Sequence, residues 1–409
     1  MTKFIAIIGA LDTKGDQVEY LKQSIEARGH RPIIIDVGIL GNPTCKATIT
    51  RQEVVRAAGS NLEELISFKD ENKAIKKMAE CACKIVRDLY EKAELDGVLA
   101  VGGSMGTSLA LKVMDVLPLN LPKLILSTLA YSPAIDPDFL CNNVIMMQWI
   151  GGLWGINEFV KRVLDQAVAV ITASAELYEK KTISEKRLLG ITSLGMSAAR
   201  YLYHLKPSLE RKGYEIAVFH PTGMNTRMLE RAIEEGLIHA VLDLRVGCEL
   251  MGQITGSLFG ACPGRLEAAA KRGIPQVVCP AGMEAILWAP YKKVPRGFAN
   301  RIKFEHNPLL WVFSSTREEK VKVAKLMARK LNKAKGPTAV IIALKHSPMQ
   351  VKYGIRDTEG LHAFRSVLKK NLKSHIKVVE VDSTYDDPEF AEVVIRLLDE
   401  MVGSQRYQQ

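Results

Sequence analysis

No apolar stretch in the chain reaches the roughly 18 residues that a membrane-spanning helix needs, so no membrane partner is expected. No C-x-x-C pair occurs, and the cysteine count is odd, at seven. Cys81 and Cys83 lie two apart on a stretch of helical character, where side chains diverge. These spacings exclude a disulfide framework and a cysteine zinc site, and leave small buried thiols in a reducing compartment. Basic runs are missing too. The Lys and Arg residues behind the net charge of +11 are spread along helical stretches such as Lys320 to Lys335. They read as solvated faces, which argues against nucleic acid as a partner, although the positive balance still favours small anions. The G-x-x-x-x-G-K-[ST] loop, the G-x-S-x-G elbow and the H-E-x-x-H pair are absent. A P-loop, an α/β-hydrolase nucleophile and a zincin are thereby excluded. With no charged leader pattern, the expected location is cytoplasmic.

What is present is a repeated alternation. Phe4-Ile-Ala-Ile-Ile8, Pro32-Ile-Ile-Ile-Asp36, Gly97-Val-Leu-Ala-Val101 and Lys123-Leu-Ile-Leu-Ser127 are short, continuous apolar runs. Such runs suit strands buried on both faces of a parallel sheet. Helical stretches separate them at Gln17 to Gly29, Lys73 to Leu95 and Ser108 to Val116. The pattern restarts after a polar stretch at Thr182 to Arg187, with runs at 188–192, 215–219, 240–243, 275–279, 339–343 and 377–381. At 409 residues the chain has length for two domains, 1–184 and 185–402. Each is expected to be a Rossmann-like α/β subdomain with an open, mainly parallel sheet and flanking helices.

Ligands of open parallel sheets bind at the carboxyl ends of the strands. After the first strand comes Gly9-Ala-Leu-Asp-Thr-Lys-Gly15. Asp12 or Thr13 caps the next helix in this reading, and Lys14 reaches a phosphate or is simply a surface lysine. The third strand ends in Gly102-Gly103-Ser104-Met105-Gly106-Thr107-Ser108, a glycine- and hydroxyl-rich turn suited to an anion. It lacks the third glycine of a dinucleotide fingerprint. Ser127 and Thr128 end the fourth strand, while Trp149, Trp154 and Tyr131 either stack on a base or fill core. In the second half, His220-Pro-Thr222-Gly223-Met-Asn225 follows one strand and Asp243 ends the next, with Glu249 soon after. Cys279 to Glu284 ends another, and His306 and Asn307 sit in a polar loop, Phe304 to Pro308. Acid, base and imidazole groups at successive strand ends suit a second ligand site or acid–base chemistry.

Taken in order, G-x-x-D-T-K, G-G-S-x-G-T-S, S-T-x-A, G-[LI]-N, H-x-T-G, L-D and E-H-N resemble the Tm-1-like ATP-binding proteins, the UPF0261 family. The resemblance runs from Ile5 to about Leu398. It implies two Rossmann-like parts, a homodimer, and ATP with Mg2+ at the first part. Asp12, Thr13 and Lys14 then take the nucleotide-binding position, and Gly102 to Ser108 hold the phosphates. The segment from Asp36 to Gly41 and the Gly59-Ser60 region complete that pocket. His220, Thr222, Gly223, Asp243, Glu249, His306 and Asn307 match the C-terminal motifs, with His220, Glu249 and His306 as candidate catalytic groups. The chain departs from the family pattern at Met105, at Tyr131-Ser132 and at Met224-Asn225-Thr226. The expected function is Mg-ATP binding, coupled in an enzyme to a small acidic metabolite at the second part. The alternatives are a non-catalytic nucleotide-dependent sensor or interaction protein, and a sugar-nucleotide or NAD-type enzyme.

Overall fold

A computed structural model describes residues 1–135, 140, 143–150, 155–180, 187–194, 200–260 and 262–406. Trp154 and the boundary expected at 184/185 lie outside these residues. The chain divides into two compact units, Met1–Lys181 and Thr182–Gln409.

Unit 1 carries strands β1 (Phe4–Gly9), β2 (Arg31–Asp36), β3 (Gly97–Gly102), β4 (Lys123–Ser127) and β5 (Ile145–Gln148). They form one sheet in the order β2-β1-β3-β4-β5, with every pairing parallel. Its helices are α1 (Leu11–Ala27), α2 (Arg51–Ala57), α3 (Leu62–Ser67), α4 (Glu71–Glu91), α5 (Ser104–Asp115) and α6 (Glu158–Leu177). The period of two along β1 sorts its side chains. Ile5 and Ile7 join a core with Val18 and Leu21 of α1 and Leu164 of α6. Ala6 and Ile8 join the opposite core with Met78 of α4 and Val113 of α5. Both faces are therefore covered, which is why the strands read as unbroken apolar runs. Burying one such isoleucine contributes roughly 1.5–3 kcal/mol.

Unit 2 carries β6 (Arg187–Thr192), β7 (Tyr214–Phe219), β8 (Ala240–Asp243) and β9 (Gln276–Val278), then β10 (Ala285–Trp288), β11 (Lys303–Asn307) and β12 (Leu310–Ser314), and finally β13 (Thr338–Ala343) and β14 (Lys377–Val381). The main sheet runs β14-β13-β9-β8-β6-β7, all parallel. Helices α7 (Tyr201–Arg211), α8 (Met224–Glu234), α9 (Gly247–Thr255), α10 (Glu267–Arg272), α11 (Arg317–Leu331), α12 (Pro348–Lys352), α13 (Thr358–Asn371) and α14 (Pro388–Arg406) complete it. Both units are thus Rossmann-like, doubly wound α/β folds.

The antiparallel sheet β10-β12-β11 is an addition to the expected pattern. Phe304 to Asn307, read from sequence as a polar loop, belongs to β11, with a register shift between Glu305 and Asn307. Four of its five residues are exposed, so nothing in its composition signals a buried strand. In both main sheets the chain order reverses direction beside the first strand, between β1 and β3 and between β6 and β8. Such a reversal opens a crevice at the carboxyl ends of the two strands.

Candidate functional sites

At the β1/β3 crevice, α1 starts at Leu11, so the segment after β1 is mostly a helix turn rather than a loop. The cap comes from elsewhere in the chain. Ala10 has no capping side chain, and the Leu11 amide donates to Asp36 Oδ1 at 3.1 Å, an oxygen that also accepts the Gly38 amide at 2.9 Å. Burial pushes the Asp36 carboxyl up, against those hydrogen bonds. Asp12 and Thr13 do not cap. Asp12 Oδ2 accepts the Gly41 amide at 3.0 Å, while its Oδ1 is buried without a partner. The Thr13 hydroxyl donates to the Ala10 carbonyl at 3.3 Å. Lys14 Nζ donates to the Thr13 carbonyl at 3.0 Å and lies 5.9 Å from the Trp149 ring centroid. Burial pulls its amine below the ordinary value, opposed by Asp12.

The glycine-rich turn is likewise half strand end and half helix. A Cβ on Gly102 would lie 2.7 Å from the Gly106 Cα, so this pair lets α5 fold back closely on β3. Gly103 is the N-cap without a capping side chain, which leaves the amides of Ser104, Met105 and Gly106 with no acceptor inside the helix. The Thr107 and Ser127 hydroxyls bond each other at 2.6 Å in the interior, and Ser127 Oγ also accepts the Leu129 amide at 2.9 Å. Ser108 is exposed.

A cleft of about 330 Å³ opens here. Its walls include Val37, Ile39, Leu40, Leu65, Ile75 and Met105, with Asp12 and Thr13 at one side. The structure thus brings Asp12, Thr13 and Met105 together with the segment after β2. Lys14, Gly102, Gly103, Ser104, Gly106, Thr107 and Ser108 lie outside its lining, as does Gly59-Ser60; α3 and α4 supply that wall instead. Tyr131 is 81% exposed, and its hydroxyl donates to the Met146 carbonyl at 2.8 Å, so it does not fill the cleft.

The expected C-terminal residues divide into two groups. Asp243 and Glu249 are buried against Arg265, which is 0% exposed. Its Nη2 donates to both Asp243 oxygens at 2.6 and 2.8 Å, its Nε to Glu249 Oε2 at 2.7 Å, and its Nη1 to Glu230 Oε1 at 2.7 Å. Glu249 Oε1 accepts the Gly223 amide at 2.7 Å and the Thr226 hydroxyl. Asp243 also accepts the Thr192 hydroxyl at 2.8 Å. Burial pushes the Glu230 and Glu249 carboxyls up, against Arg265. Glu249 is therefore fully buried in a saturated ion cluster. Gly223, at a positive φ of 77°, carries the chain into α8, and Thr222 accepts from Asn225 at 3.0 Å.

His220, His306 and Asn307 instead line one pocket of about 420 Å³, together with Arg245, Glu284 and Tyr385. Partial burial lowers the His220 imidazole, and the Arg245 charge adds to that shift. α9 approaches the Cys279–Glu284 loop so closely that a Cβ on Gly247 would collide with the Pro280 carbonyl, which fixes that wall. Arg245 and Tyr385 belong to none of the motifs. The one sequence signal is that Arg245 is a cation two residues past the end of β8.

Two family models match the chain, each over one unit. The description "Uncharacterised protein family (UPF0261) N-terminal domain" matches residues 3–180, and the corresponding C-terminal domain matches 186–402. The chain belongs to the UPF0261 family. A UPF0261 protein of Brucella suis is 36% identical over 402 residues, covering 98% of this chain and 96% of that one. A UPF0261 protein of Clostridium tetani is 33% identical over 407 residues, covering 98% and 100%. The ToMV resistance protein Tm-1(GCR237) of Solanum lycopersicum is 26% identical over 414 residues, covering 95% of this chain and 54% of the plant protein. Among solved structures, a putative UDP-N-acetylglucosamine 2-epimerase from Listeria monocytogenes aligns at 10% identity over 68% of this chain and 79% of that one, with a TM-score of 0.23. A likeness that distant carries no argument about this UPF0261 chain. Among the described residues, no group of three or more His, Cys, Asp or Glu side chains could hold a metal, and no helix is long and apolar enough to cross a membrane.

Proposed function

We propose that unit 1 binds ATP together with Mg2+ in the cleft at the β1/β3 crevice. One observation carries the reading: the cleft joins apolar walls to Asp12, whose Oδ1 is buried without a partner, beside the open N-terminus of α5. Apolar walls suit a base, and a helix start suits phosphate oxygens. The residue that would hold Mg2+ is Asp12. Magnesium is commonly held by one or two carboxylates plus substrate phosphates. Bound there, the ion would neutralise phosphate charge. Met105, at the start of α5, lines the phosphate end, and its free amide supplies a donor there. The family resemblance also supports a homodimer, which sedimentation with and without ATP would measure.

Calorimetric titration of the full chain tests the reading. ATP with Mg2+ is expected to give saturable heat, and Met105→Glu to abolish it by placing a carboxylate at the phosphate position. A flat titration of the native chain with ATP and Mg2+ would overturn the proposal.

A further inference from the structure

Arg245 presents a problem that nothing in the nucleotide reading answers. It follows β8 by two residues, at the β6/β8 crevice, and is 6% exposed. Its Nε and Nη1 are buried without a hydrogen-bond partner, and among the described residues it forms no ion pair with a carboxylate. Its guanidinium carbon lies 5.0 Å from the Tyr385 ring centroid, and the Tyr385 hydroxyl is its one side-chain contact of hydrogen-bonding type among the described residues. Burial pushes the Asp386 carboxyl up, Arg245 only partly opposes that, and Asp386 Oδ1 accepts the Arg200 amide at 3.0 Å. Among the described residues of unit 2, the other buried side-chain atoms without partners are serine hydroxyls, at Ser257, Ser315 and Ser383. A guanidinium cannot shed its proton, so its buried charge persists.

That charge lines the 420 Å³ pocket. We propose that this pocket binds a small organic carboxylate with an apolar body, its carboxylate paired to Arg245. Three observations select the class. Arg245 is the sole Lys or Arg in the described lining, and Glu284 brings an opposing carboxylate, so a monoanion matches better than a phosphate dianion. The body of the ligand meets Phe259, Leu287, Leu310 and Val312, and the face-to-face Phe304–Tyr353 pair at 4.0 Å forms a flat wall. His220, held toward its neutral form, and Asn307 add hydrogen-bonding edges without further charge. The proposal stands independently of ATP binding. It recasts the second site expected from the motifs, because the anchoring group is Arg245 and not Asp243 or Glu249.

The test uses the full chain with benzoate and 2-naphthoate, their neutral amides, and 2-naphthyl phosphate, read by calorimetry and thermal unfolding. Expected are saturable binding of a carboxylate and a raised Tm, no response to the amides, and a weaker response to the phosphate ester. Arg245→Met should weaken carboxylate binding about ten- to a hundred-fold, as loss of a charged hydrogen bond does. The same variant without ligand should unfold at an equal or higher temperature, since it removes an unpaired buried charge. If it fails to fold, Arg245→Lys keeps the charge but loses the planar donors, and should still weaken binding. The proposal is overturned if neither carboxylate binds, if an amide binds as well, if the phosphate ester binds more tightly, or if the Arg245 variant binds as the native chain does.

Discussion

Two arginines of unit 2 lie within the same interior and have opposite surroundings. Arg265 donates to three carboxylates at 2.6–2.8 Å and has no nitrogen to spare. Arg245 pairs with none among the described residues and faces a pocket. A buried charge is costly unless paired, so the first arrangement is what a structural guanidinium needs. The second leaves part of that cost uncompensated, which a folded chain tolerates where a ligand completes the pair. Burial and strand-end position therefore do not identify a ligand-binding side chain. The state of its hydrogen-bonding atoms does.

The same substitution at the two arginines should have opposite consequences. Arg265→Met would leave Glu230, Asp243 and Glu249 buried around an apolar side chain. Loss of the partner of a buried ion cluster costs on the order of 3–5 kcal/mol. Urea unfolding should therefore show a large fall in stability, or no folded protein, where Arg245→Met shows none. Equal losses at both positions would make Arg245 a second structural cation and end the distinction.

Unit 1 repeats the contrast among uncharged and acidic groups. Thr107 and Ser127 satisfy one another inside the fold, whereas Asp12 keeps an oxygen without a partner beside the cleft. Asp12→Asn should weaken Mg-dependent ATP binding about ten-fold, a change of about 1.4 kcal/mol, by calorimetry with and without chelator. Its effect on unfolding without ligand should be small. Thr107→Val should do the reverse: about 1 kcal/mol of stability lost in urea, with ATP affinity unchanged. If Thr107→Val removed nucleotide binding in a fully folded chain, the hydroxyl would belong to the site and the contrast would fail there.

Much of the fold could be read from the chain because buried parallel strands leave continuous apolar runs, as at Phe4–Gly9 and Lys123–Ser127. β5 escaped because Ile145–Gln148 is only four residues long and half-exposed, without β-branched residues beyond its first. β11 escaped because its exposed Lys303, Glu305, His306 and Asn307 look like a loop. The start of α1 was misplaced for a different reason. Local capping rules look for an acceptor next to the helix, and here Asp36 reaches across from β2. The site shows the same limit. Asp12 and Met105 stand in recognisable motifs and meet in a cleft, but Asp243 and Glu249 stand in equally recognisable motifs and are consumed by Arg265. Whether a strand-end acid faces water or an arginine 22 or 16 residues further along is set by packing. Short-range spacing does not carry that information.

The weakest test concerns the same pairing at the surface, where solvent competes. Glu380 on β14 accepts from Arg365 Nε at 2.7 Å and lies 2.8 Å from Lys369 Nζ. The Arg365 hydrogen bond leads in lowering its carboxyl from 4.5 to about 2, with Lys369 adding to the shift. Because the folded value lies below the ordinary one, the stabilisation is complete above pH 4.5 and is lost as pH falls toward 2. Solvent screening keeps it to about 1 kcal/mol or less at pH 7. Glu380→Gln should therefore cost that little at neutral pH, and the gap from the native chain should close in acid. Glu249 moves the other way: its carboxyl is pushed up by burial, so its ionisation opposes folding as pH rises above 4.5 toward the shifted value. A Glu380→Gln gap that stayed constant from neutral to acid pH would show that the contact acts through packing, leaving the contrast between paired and unpaired charge to rest on the interior alone.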